Sequence, residues 1–183
     1  MMKAVFLDRD GVINKYPGDK KYVTSLKGFR FLAGAKKAVA LLNRRGFKLF
    51  VISNQAGVGK GVYSQAALDA ITRHMLKELR RSGGDIQEVN YCTHRPEENC
   101  GCRKPRAGMI KNMKSKYKAI NLKKSFFIGD TIRDVLTAKD AGCRSMLVLS
   151  GKEKLRNRSS WEHQPHLVFK DLLEAAKFIA KAK

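Results

Sequence analysis

The chain has 183 residues, 43% of them hydrophobic, which suits one compact domain over residues 1–183 with a sizeable core. No run of about 18 apolar residues is present and no basic segment leads into an apolar stretch with a cleavage site, so neither a transmembrane helix nor a signal peptide is expected, and a cytoplasmic, membrane-free monomer is. Lys and Arg number 38 against 16 Asp and Glu, a net charge of +22 that attracts polyanions and phosphorylated metabolites at low salt.

In chain order, KAVFLD predicts a first strand, followed by a polar excursion from Asn14 to about Arg30. AGAKKAVALLNRRG has apolar residues at helical spacing and Gly46 as its stop. FKLFVIS predicts a second buried strand. SQAALDAITRHMLKELRRSG predicts a helix with Ser64 as N-cap, and the strand IQEVNYC follows. After a Cys-rich loop come helix AGMIKNMKSKYKAI, strand SFFIGD, helix DVLTAKDAG and strand SMLVLS. A polar stretch from Gly151 to Pro165, a short strand HLVF and a helix DLLEAAKFIAKAK complete the chain. This alternation predicts an α/β fold: a Rossmann-like, mainly parallel sheet with helices on both faces. The basic residues are spread over the predicted helices, with no aromatic-rich RNA-binding motif or recognition helix among them, so nucleic acid is not the expected partner.

Three apolar strands deliver polar side chains at one edge of such a sheet. The first ends in Asp8 with Asp10 two residues on, the second leads into Ser53, Asn54 and Gln55, and the SFFIGD strand ends in Asp130 with Asp134 four residues later. One strand ending in Asp is an ordinary turn. Three together form a constellation where open α/β sheets bind ligands, beyond the carboxyl ends of the strands. Asp8 and Asp130 offer hard oxygen ligands suited to Mg²⁺. AGVGKG, at 56–61, has the look of a phosphate-binding P-loop, but Asn54 and Gly61 stand where the first Gly and the Ser or Thr are required, so it reads as a Gly-rich connection to the Ser64 cap.

CTHRPEENCGC, residues 92–102, gathers Cys92, His94, Cys100 and Cys102 in one polar loop. Three thiolates and one imidazole match tetrahedral, structural Zn²⁺ with a closed shell. A disulfide is the weaker reading in a reducing compartment. Arg103 and Lys104 follow the last ligand directly, so fixing the loop fixes both. Cys143 reads as a core cysteine. His74, His163 and His166 have no partner pattern.

FLDRDGVIN, VISNQ, CRKP and FIGDTIRD, in this order, resemble the four signature motifs of the haloacid dehalogenase superfamily of aspartate-nucleophile phosphatases, from about Lys3 to about Leu149. The resemblance implies Asp8 as nucleophile and Asp10 as general acid and base. It implies Ser53 and Lys104 as stabilisers of the transferring phosphoryl group, with Asn54, Gln55 and Arg103 contacting substrate. Mg²⁺ would be held by Asp8, the backbone carbonyl of Asp10 and Asp130, while Asp134 orients the metal shell or Lys104. No large cap domain fits, since only the excursion at 14–30 and the zinc loop can cover the site.

Within that superfamily, C-x-H-x5-C-x-C-R-K-P resembles the branch of D-glycero-D-manno-heptose 1,7-bisphosphate phosphatases and histidinol-phosphate phosphatases. DRDGVIN, YVTS and FRFLAGAKKA resemble the heptose enzymes, whereas the five residues between His94 and Cys100 also occur in histidinol phosphatases. The resemblance implies hydrolysis of the C7 phosphate of a heptose bisphosphate, with histidinol phosphate as the alternative. Processing of polynucleotide ends by a basic protein is the alternative from another class.

Overall fold

Strands β1 (Ala4–Leu7) and β4 (Phe126–Gly129) are buried at every position, the mark of strands covered on both faces. In the computed structural model, which describes residues 2–181, they lie side by side at the centre of a six-stranded sheet. The others are β2 (Lys48–Asn54), β3 (Glu88–Cys92), β5 (Arg144–Val148) and β6 (Leu167–Phe169). The order is β3-β2-β1-β4-β5-β6 and every pairing is parallel. The chain winds outward from β1 to β3, then crosses back to β4 and winds the other way. β1 and β4 therefore flank the topological switch point, where their carboxyl ends leave a crevice.

Alternate residues of the strands face opposite layers. Val5, Leu7, Leu49, Val51 and Ile128 pack with the apolar faces of α1 (Ala35–Arg44), α2 (Gln65–Arg81) and α5 (Leu172–Lys181). Ala4, Phe6, Phe50, Ile52 and Phe127 pack with α3 (Gly108–Lys116) and α4 (Ile132–Ala141). Cys143 lies buried in this second cluster. Ser64 caps α2 by accepting from the Ala67 amide at 3.1 Å. Among the described residues no helix is long and apolar enough to cross a membrane.

Several boundaries differ from the periodicity. The helix expected to run to Ile120 stops at Lys116, because the Tyr117 ring turns onto Phe50 and the chain folds back so that the Met2 amide donates to Ala119 O. α4 starts two residues early: Thr131 and Asp134 form a capping box that periodicity does not register. The polar stretch from Gly151 holds a 3-10 helix, Leu155–Ser160, and buries Trp161, whose indole donates to Glu153. His166 accepts from the Ser145 amide at 3.1 Å, and His74 lies against the Phe29 and Phe31 rings. The last two residues of the predicted terminal helix lie outside the described residues.

Candidate active site

Asp8 follows β1 and Asp130 follows β4, so adjacent strands set both carboxylates at the switch point. Asp8, Asp130 and Asp134 are all buried, and one carboxylate oxygen from each lies within 4.8 Å of the other two. Lys104 enters from the zinc loop and is also buried. Its Nζ lies 2.9 Å from Asp8 Oδ2 and 2.6 Å from Asp134 Oδ1. Asp134 spends its other oxygen on Thr131, accepting from the amide at 3.0 Å and the hydroxyl at 2.7 Å. Both of its oxygens are thus engaged, and Asp134 fixes Lys104 to the first turn of α4.

Burial pushes Asp8 up to about 6 against the pull of the Lys104 ammonium. Burial, then the nearby Asp8 and Asp134, raises Asp130 well above the usual carboxylate range. Burial works against charge on Lys104, yet Asp134 and Asp8 hold it above the usual lysine range. Three buried carboxylates facing one ammonium leave excess negative charge at this point. A hard divalent cation with oxygen ligands fits that imbalance. The pocket for Asp130 depends on two glycines: a Cβ on Gly11, which has φ +83, or on Gly151 would collide with the Asp130 carboxylate. Asp130 Oδ2 also accepts from the Lys152 amide at 2.8 Å.

Asp10 is gripped by three side chains. The Arg9 guanidinium reaches both carboxylate oxygens at 3.0 Å, Asn14 Nδ2 donates to Oδ1 at 2.8 Å, and Gln55 Nε2 donates to Oδ2 at 2.9 Å. Arg9 is 0% exposed and stacks over the Tyr91 ring at 5.6 Å. Burial opposes its charge, and Asp10 more than offsets this, holding Arg9 above the usual arginine range. Gln55 is 1% exposed: it donates to Ser53 Oγ at 3.2 Å and accepts from Arg9 at 3.0 Å and from the Tyr63 hydroxyl at 2.6 Å. Asn54 grips the Lys104 backbone, accepting from its amide and donating to its carbonyl, both at 3.1 Å.

These groups line a cleft of about 760 Å³. Asp8, Asp10, Ser53, Asn54, Arg103, Lys104 and Asp130 border it, whereas Gln55 lies beneath. Tyr16, Asp19 and Tyr22 of the excursion form the opposite wall, and Lys152 ties that wall down through an ion pair with Asp19 at 2.7 Å. Sequence reasoning missed Arg9, Asn14, Tyr63 and the Gly151–Lys152 segment. An arginine wedged between two aspartates directly after an apolar strand was the available signal for the first. The rule that loops after neighbouring strands share one crevice was the signal for the last.

The four loop ligands also converge. Cys92, Cys100 and Cys102 sulfurs are 3.3–3.5 Å apart, and His94 Nδ1 is 3.3 Å from Cys102 Sγ and 3.7 Å from Cys92 Sγ. A tetrahedron with ligand bonds of about 2.0–2.3 Å has edges of roughly 3.5–3.8 Å, so the set fits Zn²⁺ bound through Nδ1. Burial raises the Cys92 and Cys102 thiols; it also works against charge on Cys100, but hydrogen bonds with Cys102 and Cys92 bring Cys100 down to about 7, so the trio shares its first negative charge at Cys100. The Gly-rich 56–61 turn packs on this loop. Its Gly59 amide donates to Thr93 O at 3.2 Å, an approach that a Cβ at Gly59 would block.

Known proteins bear on this geometry. Residues 101–175 match the HAD-hydrolase-like family. The D-glycero-β-D-manno-heptose-1,7-bisphosphate 7-phosphatase of Pseudomonas putida is 35% identical over 176 residues, 96% of this chain and 98% of that one. The D-glycero-α-D-manno-heptose-1,7-bisphosphate 7-phosphatase of Campylobacter jejuni is 35% identical over 83% of this chain and 85% of its own. A crystal structure of D,D-heptose 1,7-bisphosphate phosphatase from B. bronchiseptica, complexed with magnesium and phosphate, superposes with a TM-score of 0.89 at 32% identity, covering 97% of this chain and 98% of that one. With its carboxylate crevice and the Cys-His loop beside it, the chain belongs to the haloacid dehalogenase-like hydrolases, in the family of the heptose-1,7-bisphosphate phosphatases.

Proposed function

We propose that this chain is a Mg²⁺-dependent phosphatase that removes the C7 phosphate of D-glycero-D-manno-heptose 1,7-bisphosphate by way of an aspartyl phosphate on Asp8. The observation that carries the reading is the buried Asp8, held at 2.9 Å by Lys104 in a crevice that also contains Asp130. The substrate class rests on the heptose-phosphatase relatives. As a whole, the reading is of one domain over residues 1–183, acting as a monomer in the cytoplasm, with nucleic acid outside its substrate range.

An Asp8 oxygen attacks phosphorus, and the bond from phosphorus to the C7 oxygen breaks. Asp10, as the general acid, donates a proton to the departing oxygen. It then accepts a proton from the water that attacks the same phosphorus, and inorganic phosphate leaves as the Asp8 carboxylate is regenerated. Lys104 neutralises charge on the phosphoryl oxygens and Ser53 donates to them. Asp8, Asp130 and the Asp10 backbone carbonyl would hold Mg²⁺, which would supply charge neutralisation at the phosphoryl group. Asp134 acts through Lys104. Cys92, His94, Cys100 and Cys102 would hold Zn²⁺ as a structural ion that sets Arg103 at the rim. Gln55 serves Asp10 from beneath the cleft, whereas Asn54, at the cleft border, contacts substrate and also holds the Lys104 backbone.

Phosphate release from both anomers of heptose 1,7-bisphosphate, from histidinol phosphate and from a 3′-phosphorylated oligonucleotide tests the reading. The bisphosphate should show the highest kcat/KM. Histidinol phosphate or the oligonucleotide in first place would overturn it.

A further inference from the structure

The catalytic cleft does not account for the net charge of +22. At the opposite edge of the sheet, where the strands begin, four cations stand on neighbouring strands. Lys48 opens β2, Lys3 precedes β1, Lys124 precedes β4 and Arg144 opens β5. Backbone bonds join the edge: the Lys48 amide donates to Lys3 O at 3.1 Å, the Ala4 amide to Ser125 Oγ at 3.0 Å, and the Arg144 amide to Ser125 O at 3.0 Å. Two aromatic rings floor it. Phe47 and Phe126 lie 6.2 Å apart, with Lys3 over the first at 5.9 Å and Arg144 over the second at 5.6 Å.

All four side chains are exposed, and among the described residues none is ion-paired with a carboxylate. The carboxylates near this edge are already engaged, Asp85 by Arg80 at 3.0 Å and Glu88 by Lys116 at 2.6 Å. Cations on strands about 4.8 Å apart sit well inside a Debye length of about 8–10 Å, so their fields add. Helix dipoles explain basic residues in the last turns of α1 and α2. They do not explain a row of cations at the starts of strands.

We propose that this edge is a binding face for a nucleic-acid strand, contacted through its phosphates without sequence preference and remote from the phosphatase cleft. Spaced cations with no free counter-charge among them suit an extended polyanion. The exposed large apolar side chains Leu26, Val62, Leu155 and Phe178 lie on other segments, so the edge carries no apolar anchor for a bilayer.

The test is fluorescence anisotropy of labelled dT20 titrated with the full chain at several salt concentrations. About four phosphate contacts should give a log–log salt slope near −3. K3Q/K48Q/K124Q/R144Q should bind at least about 10-fold more weakly at 50 mM salt, with a shallower slope. A variant losing the same charge elsewhere, K27Q/R30Q/R156Q/R158Q, should lose less than about 2-fold. Saturating dT20 should leave turnover of p-nitrophenyl phosphate unchanged. The milder pair K3Q/R144Q, checked by far-UV circular dichroism, should lose an intermediate factor and covers the case in which the fourfold variant misfolds. Equal losses in the face and control variants, inhibition of turnover by dT20, or capture by phosphatidylserine vesicles in place of dT20 would each overturn the proposal.

Discussion

Tyr63 holds Gln55 from behind: its hydroxyl donates to Gln55 Oε1 at 2.6 Å while Gln55 Nε2 donates forward to Asp10 Oδ2 at 2.9 Å. Burial pushes the Tyr63 phenol up to about 12, so it remains a donor at any working pH. The couple therefore transmits position, not charge, from the turn before α2 to the Asp10 carboxylate.

Gln55→Leu should accordingly lower kcat by roughly 10-fold with KM within about 2-fold, because a mis-set acid affects the transition state more than binding. The defect should shrink with p-nitrophenyl phosphate, whose leaving group needs little protonation. A rise in KM at constant kcat would instead make Gln55 a substrate contact.

Replacing the central charges separates chemistry from folding. Asp8→Asn should abolish turnover with the fold intact, and Asp10→Asn should cost on the order of 100-fold in kcat. Lys104→Met leaves Asp8 and Asp134 buried without their cation, a loss of about 3–5 kcal/mol. Millimolar Mg²⁺ should restore more melting temperature to that variant than to the parent, as a second cation takes up part of the imbalance. Equal Mg²⁺ effects on both proteins would refute a shared carboxylate site.

How far the residues alone foretold this arrangement varied with the kind of interaction. β1 and β4 read correctly because an apolar run ending in Asp leaves few alternatives in an alternating pattern, and the Cys92–Cys102 loop because four soft ligands in a short segment have few other uses. Gln55 shows where such reading stops. Its place after β2 puts it at the cleft, but whether its amide faces substrate or turns inward depends on Arg9, Tyr63 and Asp10, which meet only in three dimensions. Asn54 is similar: its partner is a backbone 50 positions away. The early stop of α3 was hidden because it is imposed by packing of Tyr117 on Phe50, not by a helix-breaking residue.

Asp140 gives a pH signature away from any metal ligand. It accepts from the Ala107 amide at 2.8 Å and from Lys111 at 3.0 Å, and these bonds hold its pKa below the usual 3.8. A carboxyl lowered on folding adds stability that is fully present above the unfolded value and is lost as pH falls through the folded one. Asp140→Asn should therefore melt lower than the parent at pH 7, by no more than about 4 °C for so exposed a pair. The gap should close as pH drops below about 4; a gap that widens in acid would contradict the assignment.

We propose that Arg103, one of several cations bordering the cleft, contacts the phosphate that does not react; its Nη1 donates to His94 O at 3.4 Å. Arg103→Ala should erode the preference for the bisphosphate over histidinol phosphate by roughly 10-fold, about the loss of one charge-assisted contact. Initial rates for both substrates at one ionic strength measure it, and an unchanged ratio would remove Arg103 from substrate choice.

The two basic residues after Cys102 should respond differently to loss of the loop metal. The Lys104 backbone is anchored twice, by the loop and by the two Asn54 bonds at 3.1 Å, and its Nζ is held by Asp134 at 2.6 Å, whereas Arg103 has the loop alone. Protein purified without chelator should contain about one zinc per chain, and stripping it, or Cys100→Ser, should lower the melting temperature by at least about 5 °C, since a closed shell contributes directly to folding. At temperatures where the stripped protein remains folded, KM for the bisphosphate should rise more than kcat falls. Adding Asn54→Ala to Cys100→Ser removes the second anchor, and kcat should then drop by a further factor of about 10 or more. Parallel loss of kcat and KM performance in Cys100→Ser alone would show that the metal loop, and not Asn54, is what keeps Lys104 against Asp8.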